Sequence, residues 1–385
     1  MVQPFGQCWF WNYGVINGLI DMRILMLMPH PNVKGPIFTH TSHLVAFLKN
    51  QNNEVCTEYW GRHKDIESLP EKVLGRAFDI IRIRKTLKNG HFDVMVVKTS
   101  LDCAALSRDI PLLLASSRLC RKKVVQFHGS SSDLLNARGY SIFKLFSRFL
   151  FRLSDASLVL SSEEKRDFTQ FIPNHPTYIV SNPFLSFKNI TSSKDKVIRD
   201  LPSDKPIILF VGRFIKEKGI FDLINAMPMV LKSVDCHLLI VGEGDLKNQA
   251  IDLMRTLNME KYITLTGHLT GNALFSVYRQ AKVFVFPTYW KEGFPTVITE
   301  AMDAGLPIIT TKIRGVVDHL FEGKNALFVP AQNPVSIAEE VVRVLKDSKL
   351  RNKMSNANRK KVRDFSPQFT GLHYQKVLLE IADAN

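Results

Sequence analysis

Twice along this chain, short continuous apolar runs alternate with stretches long enough for helices, and a polar segment separates the two series. The first series has runs at 23–28, 93–97, 123–127 and 157–161, with helix-length stretches such as 101–119 and 139–153 between them. The second has runs at 206–212, 237–242, 262–266, 282–286 and 307–310. Strands that read as unbroken hydrophobic runs separated by helices imply a parallel sheet covered on both faces. The chain therefore reads as α/β, with two doubly wound parallel-sheet domains in tandem, over residues 22–187 and 206–365. The segment 188–205, rich in Ser, Lys and Asp, is the expected linker. In such sheets a ligand binds beyond the carboxyl ends of the strands, so the cleft between two facing sheets is the expected site. Residues 368–382 carry helical spacing (Phe369, Leu372, Tyr374, Val377, Leu378, Ile381) and need a surface to pack on.

The N-terminal 21 residues stand apart. Residues 1–22 hold no Lys or Arg, and the apolar stretch Trp9–Ile20 is broken by Asn12, Gly14 and Asn17. It lacks the basic start and cleavage site of a signal peptide and is shorter than a membrane-spanning helix requires. Residues 1–21 are expected to be upstream sequence or a flexible extension, with Met22 as the start; a strand-capping arm is the alternative. Apolar residues at 45% and charged residues at 23% exclude a disordered or coiled-coil chain. The net charge of +15 favours anionic partners. Five well-separated cysteines without a C-x-x-C pair argue against a disulfide framework or a zinc site, and point to a reducing cytoplasm.

Two motifs carry the chemistry. The first is Glu292-Gly-Phe-Pro-Thr-Val-Ile-Thr-Glu300, directly after the apolar run ending at Phe286. Gly293, Phe294 and Pro295 form a turn, and Thr296 opens a helix expected to run to Asp303. A strand–turn–helix of this kind aims backbone N–H groups and a partial positive charge at whatever lies above the sheet, and a diphosphate suits that place. Glu292 and Glu300 can each accept hydrogen bonds from sugar or ribose hydroxyls; the plain alternative is a solvated Glu292 and an ordinary helix-face Glu300. The second motif is Val211-Gly-Arg-Phe-Ile-Lys-Glu-Lys-Gly219. Gly212 lets the chain leave the sheet, and Arg213 and Lys218 can reach back over the strand end. Arg supplies a planar fork to phosphate oxygens and Lys a compact charge; alone, the pair also fits a solvated surface.

Taken together and in order, these blocks resemble glycosyltransferase family 4, the retaining group 1 glycosyltransferases with the GT-B fold of two facing Rossmann-like domains. The resemblance runs from Met22 to the C-terminus. It rests on the Met22–Met28 run and Pro29–Pro36 loop, Gln126-Phe-His-Gly129, Ser154–Glu163, Ser181-Asn-Pro-Phe184, the Gly212–Gly219 loop, Val241-Gly-Glu-Gly244, Gly267-His-Leu269, Glu292–Pro307 and Asn325–Pro330. It implies a nucleotide-sugar donor, a saccharide or lipid-linked acceptor, no cofactor and no metal. It implies catalytic roles for His128, Glu292, Arg213 and Lys218. Arg213 and Lys218 would neutralise the donor diphosphate, and the 292–296 turn would hold donor sugar and phosphates, with Glu292 near the sugar. Glu300 would bind ribose hydroxyls, and His128 would sit near the anomeric carbon. Gly35 and Gly212 would allow close phosphate approach, and residues 366–385 would cross back onto the N-terminal domain. No Asp-x-Asp triplet of the metal-dependent transferases occurs. The sequence departs from the family where Gly35 stands alone between Lys34 and Pro36, where Arg314 precedes Gly315, and at Asn272 and Ala326.

The positive charge gathers between Arg118 and Arg152, with eight basic residues against Asp133 alone. Lys144, Arg148 and Arg152 lie at i, i+4 and i+8 on an otherwise apolar helix. That pattern suits an anionic membrane surface, which would make the protein cytoplasmic and peripheral on the inner face of the membrane. A core helix with one wet face is the alternative. The expected activity is glycosyl transfer in surface polysaccharide or glycolipid synthesis. A nucleotide-sugar epimerase on a similar scaffold is the rival. A nucleic-acid binder is disfavoured, because no such module is present.

Overall fold

A computed structural model of the chain describes residues 22–33, 35–64, 67–139, 142–187 and 204–384. Residues 1–21 and most of the expected linker, 188–203, lie outside these. The N-terminal lobe holds β1 (Arg23–Met28), β2 (Glu54–Tyr59), β3 (Val94–Leu101), β4 (Lys122–Ser130), β5 (Ala156–Val159) and β6 (Thr177–Ile179). They form one parallel sheet in the order β2-β1-β3-β4-β5-β6. The C-terminal lobe holds β7 (Ile207–Val211), β8 (His237–Val241), β9 (Ile263–Gly267), β10 (Val283–Phe286), β11 (Ile308–Thr310) and β12 (Ala326–Phe328). Its parallel order is β12-β11-β10-β7-β8-β9.

The apolar runs in the sequence are the inner strands: every residue of β5, β7, β8 and β10 is buried. Three strands were not anticipated. All of them border the sheets: β2 is a half-wet edge strand with alternating burial, while β6 and β12 are edge strands of three residues each. An edge strand has one strand neighbour and needs no continuous apolar run.

Connection direction sorts the helices onto faces. Helices Leu69–Gly90, Cys103–Ala115, Ile142–Leu153 and Ser162–Phe171 contribute Ile83, Leu106, Phe151 and Phe168 to the core on one side of the N-terminal sheet. On the other side, helix Pro36–Lys49 and the last helix, Pro367–Asp383, share a core with β1, in which Leu44, Tyr374, Leu378 and Ile381 pack with Ile24 and Met26. The C-terminal helix of the chain thus belongs physically to the N-terminal sheet. At about 25 cal/mol per Å2 of apolar surface, that burial is what fastens it there.

Each sheet has one point where the winding reverses, between β1 and β3 in the first and between β7 and β10 in the second. Neighbouring loops diverge at such a point, leaving a crevice beyond the carboxyl ends of the strands. The Gly212–Gly219 loop leaves β7 and the Glu292–Thr296 turn follows β10, so both motifs stand at the reversal of the C-terminal sheet.

Candidate active site

The loop after β7 is short and tightly held. Lys216–Lys218 make a single 3-10 turn, and Gly219 then starts helix Ile220–Leu231 with φ +73°. A Cβ there would lie 2.4 Å from the Pro287 carbonyl oxygen, so glycine is required both by its dihedral and by the approach of the loop after β10. The Glu217 carbonyl accepts from the Tyr289 N–H at 2.8 Å and from the Thr288 hydroxyl at 3.1 Å. This crosslink sets the two motifs side by side.

Its product is an ion pair between a buried lysine and a half-buried glutamate. Lys218 is 3% exposed; its ammonium donates to Glu292 Oε1 and lies over the Phe286 ring, 5.2 Å from the centroid. Burial pulls the Lys218 pKa down, the Glu292 carboxylate opposes this, and the nearby Arg213 charge adds to the lowering. Arg213 itself is exposed at the rim, and Gly212 donates its N–H to the Val241 carbonyl at 3.0 Å. Sequence reasoning grouped Arg213, Lys218 and Glu292, and the structure brings them together. The direct Lys218–Glu292 pairing was not anticipated.

Helix Thr296–Ala304 begins at Pro295, and no side chain caps it. Its first N–H groups therefore face the crevice with the positive end of the helix dipole. Gly293 sits where a Cβ would be 2.6 Å from the Leu160 Cβ of the other lobe, so the turn and the N-terminal lobe touch backbone to side chain. The Phe294 ring stacks on Phe365 with centroids 5.0 Å apart and meets His319 edge-on, so only its main chain is left for a ligand. The Thr296 hydroxyl is also committed. His40, from helix Pro36–Lys49, approaches the Pro183 carbonyl with Nδ1 at 2.9 Å and Thr296 Oγ1 with Nε2 at 3.0 Å. A carbonyl only accepts, so Nδ1 carries the proton and Nε2 accepts from Thr296. Burial lowers the His40 pKa to about 4, in keeping with a neutral ring. Nothing in the sequence around His40 marks it as different from any helix-face histidine.

The N-terminal side of the crevice is a buried basic cluster. His128, near the end of β4, is held well below the ordinary histidine range by burial, then by the charges of Lys98 and His40, and its Nε2 is buried without a partner. Lys98 on β3 donates to the Gln126 side chain and to Tyr374 Oη, which itself donates to Gln126 at 2.8 Å; burial lowers the Lys98 pKa to about 7. His40, near enough to influence His128, is the residue of this cluster that bonds Thr296 and so joins N- and C-terminal elements of the site. Gly35 caps helix Pro36–Lys49 at the crevice edge, with open space where a Cβ would go.

Glu300 lies on the second turn of helix Thr296–Ala304 and accepts from Tyr278 Oη at 2.8 Å. Burial pushes its carboxyl up to about 7, against the opposing Tyr278 hydrogen bond. Its folded pKa exceeds the unfolded value, so its contribution to stability is present at acid pH and is lost as pH rises through about 7. Ligand binding has the opposite sign if ribose hydroxyls donate to the carboxylate. Affinity for a nucleoside diphosphate is then expected to rise by up to about tenfold between about pH 6 and about pH 8. Calorimetric titrations at both pH values test this, and Glu300→Gln is expected to flatten the rise.

Among the described residues, no group of three or more His, Cys, Asp or Glu side chains is placed to hold a metal ion. Of the three bases spaced along helix Ile142–Leu153, Lys144 donates to the Gly139 carbonyl at 2.8 Å and Arg148 stacks on Phe171 at 4.7 Å, while Arg152 is exposed. No helix among the described residues is long and apolar enough to cross a membrane.

Residues 192–361 match the family model for glycosyl transferases group 1. The chain is similar to the uncharacterized glycosyltransferase MJ1607 of Methanocaldococcus jannaschii, 36% identical over 159 residues, 41% of this chain and 40% of that protein. It is also similar to the capsular polysaccharide biosynthesis glycosyltransferase CapM of Staphylococcus aureus, 30% identical over 190 residues, 48% of this chain and 49% of CapM. Each alignment spans less than half the relative's length. Among solved structures, Anabaena HepE in complex with UDP superposes with a TM-score of 0.70 at 15% identity, over 93% of this chain and 100% of that one. At that identity the likeness is one of fold, two facing Rossmann-like lobes in the GT-B arrangement. Over residues 192–361, less than half of the chain, the sequence matches the group 1 glycosyl transferases.

Proposed function

We propose that this chain transfers a glycosyl group from a nucleoside-diphosphate sugar to a saccharide or lipid-linked acceptor, with retention of anomeric configuration and without a metal or cofactor. One observation carries this reading. The Lys218–Glu292 pair, its lysine buried, sits at the winding reversal of the C-terminal sheet, beside the uncapped start of helix Thr296–Ala304. A cation and free main-chain N–H groups converging on one crevice suit a diphosphate.

Breaking the bond between the sugar and the diphosphate leaves negative charge on the phosphate and oxocarbenium-like charge on the sugar. Lys218, Arg213 and the helix start would stabilise the departing diphosphate, and fixed donors aimed at developing charge are worth about 100–1,000-fold each. Glu292 would hold the sugar near Lys218, and Glu300 the ribose. The neutral His128 ring would face the transferred sugar without adding a second positive charge beside it. The names of two relatives support the donor and the setting: HepE binds UDP, and CapM acts in capsular polysaccharide biosynthesis. A cytoplasmic, membrane-peripheral location, with the Lys144, Arg148 and Arg152 stripe on an anionic surface, fits a lipid-linked acceptor.

A thermal-shift screen of nucleoside diphosphates and their sugar conjugates tests the reading. The cognate nucleotide at 100 times its Kd is expected to stabilise the protein by about 2.7 kcal/mol. If no nucleoside diphosphate shifts the melting temperature, the donor assignment is wrong.

A further inference from the structure

Two fully buried aspartates of the N-terminal lobe hold one surface loop. Asp79, on helix Leu69–Gly90, accepts from His63 Nε2 at 2.9 Å and pairs with Arg82 at 2.9 Å. Asp109, on helix Cys103–Ala115, accepts from Trp60 Nε1 at 2.8 Å and from Arg108 Nε at 2.7 Å. Arg82 also donates to the Tyr59 carbonyl at 2.6 Å, and the His63 N–H donates to Glu67 at 2.7 Å. The segment 59–63, which ends β2 and runs on from it, is thus fastened at Tyr59, Trp60 and His63. Desolvating a carboxylate is unfavourable, and two of them committed to one loop point to a loop whose shape matters.

What the loop presents is aromatic and cationic. Tyr59 is 39% exposed, Arg62 is exposed and His63 is half-buried. His30, in the loop after β1, joins them. Its ring centroid lies 4.9 Å from that of Tyr59 and 6.0 Å from that of His63, and its Nδ1 accepts from the Asn32 N–H at 3.3 Å. The neighbouring acids are already engaged: Glu67 with Arg76, Asp79 with Arg82 and Asp109 with Arg108. Among the described residues no acid is paired with Arg62. Both loops leave the carboxyl ends of their strands, and the loop after β1 borders the winding reversal of the N-terminal sheet. The strand order β2-β1-β3-β4 puts the loop after β2 three strands from His128 on β4, roughly 14 Å at about 4.8 Å per strand. That is more than one sugar ring spans.

We infer that His30, Tyr59, Arg62 and His63 form an outlying acceptor subsite for an acidic sugar unit of an oligosaccharide, the rings meeting the apolar face of the pyranose and Arg62 its carboxylate or phosphate. Aromatic side chains bring contact area with few rotatable bonds to freeze, and a guanidinium fork matches either anion. A bare phosphate has no use for three rings, and a neutral sugar has none for Arg62. Occupying this place and the place beside His128 together takes at least two linked sugars. This deepens the proposed function by naming its acceptor class, and rests on that function; the binding test below needs no turnover.

The full chain is titrated calorimetrically with tetragalacturonate, with maltotetraose bearing a 6-phosphate, with unmodified maltotetraose, and with monomeric galacturonate. One of the two anionic tetrasaccharides is expected to bind at least about tenfold more tightly than maltotetraose and than galacturonate, and the one that does identifies the anion. Tyr59→Ala and Arg62→Gln are each expected to weaken that binding at least about fivefold, and Arg62→Lys to recover part of the loss. Both side chains are exposed, so the melting temperature and its shift by nucleoside diphosphates are expected to match the parent. Equal affinity for charged and neutral tetrasaccharides overturns the inference, as does the absence of binding by either anionic one. Binding that survives both substitutions unchanged overturns it too. The nucleotide-induced shift reports on the donor reading separately, so a preserved shift leaves the glycosyltransferase assignment standing when the subsite fails.

Discussion

Lys218→Ala is expected to lower kcat/KM at least about 100-fold, and Arg213→Ala at least about tenfold with weaker donor affinity. The difference follows from their surroundings. Lys218 is buried, fixed by Glu292 on one side and the Phe286 ring on the other, and needs no reorganisation as charge grows on the departing diphosphate. Arg213 is exposed and must be ordered from solvent when donor binds, which takes back part of its contribution. Removing Lys218 also leaves Glu292 beside a diphosphate with only Arg213 and the helix start to offset the like-charge repulsion, so the loss falls on both binding and turnover. Lys218→Gln separates the two effects, since it keeps a hydrogen bond to Glu292 while removing the charge. Steady-state kinetics with the donor identified by the nucleotide screen, checked by melting temperature, supply the measurement. A Lys218→Ala enzyme within about threefold of the parent, less than 1 kcal/mol, would remove this side chain from the chemistry.

How far the sequence foretells this arrangement depends on how many neighbours each element has. β7, β8 and β10 have a strand on either side and helices on both faces, so every residue is buried and the run reads as unbroken hydrophobicity. β2 has one strand neighbour and a wet face, and Glu54-Val-Cys-Thr-Glu-Tyr59 spells an alternation that no continuous-run criterion detects. The same holds within the site. Arg213, Lys218, Glu292 and Glu300 are legible because each sits at a fixed offset from a strand end and a glycine turn. The Lys218–Glu292 pair spans 74 residues and is set by the Glu217 carbonyl holding the loop after β10. His40 is invisible beforehand because its importance comes entirely from what the other lobe places against it, the Thr296 hydroxyl and the Pro183 carbonyl. Helix Leu69–Gly90 carries no motif; its apolar crest becomes visible only once the fold leaves Leu69, Val73, Leu74, Phe78 and Ile81 exposed among the described residues.

Arg314 shows the same limit in energetic form and leads to the second large effect. In the sequence Arg314 stands out only as a departure from the family pattern before Gly315, yet it is 1% exposed and reaches between the lobes. From the helix Arg314–His319 its guanidinium donates to the Lys291 carbonyl at 2.9 Å and to Glu164 Oε1 at 3.3 Å, with Ser132 Oγ at 3.4 Å and Glu163 at 3.6 Å. Glu164 is fully buried and also accepts from Ser130 and Ser161. Nearby, Ser162 donates its N–H to Asp318 at 2.7 Å and Lys291 pairs with Asp133 at 2.9 Å across the same seam. Removing one member of a buried ion pair costs about 3–5 kcal/mol because the other charge stays behind unpaired. Arg314→Ala is therefore expected to lower the first calorimetric unfolding transition and, because the seam joins the lobes, to enlarge the radius of gyration in X-ray scattering. Arg314→Gly tests the origin of the loss. Arg314 has φ +30°, a conformation glycine adopts freely, so the glycine variant relieves backbone strain of about 1 kcal/mol but still abandons Glu164. It is expected to fall between Arg314→Ala and the parent, and Arg314→Gly combined with Glu164→Gln to recover further, since the buried charge is then gone. If both single variants melt and scatter as the parent does, the seam between the lobes is held by something other than this guanidinium.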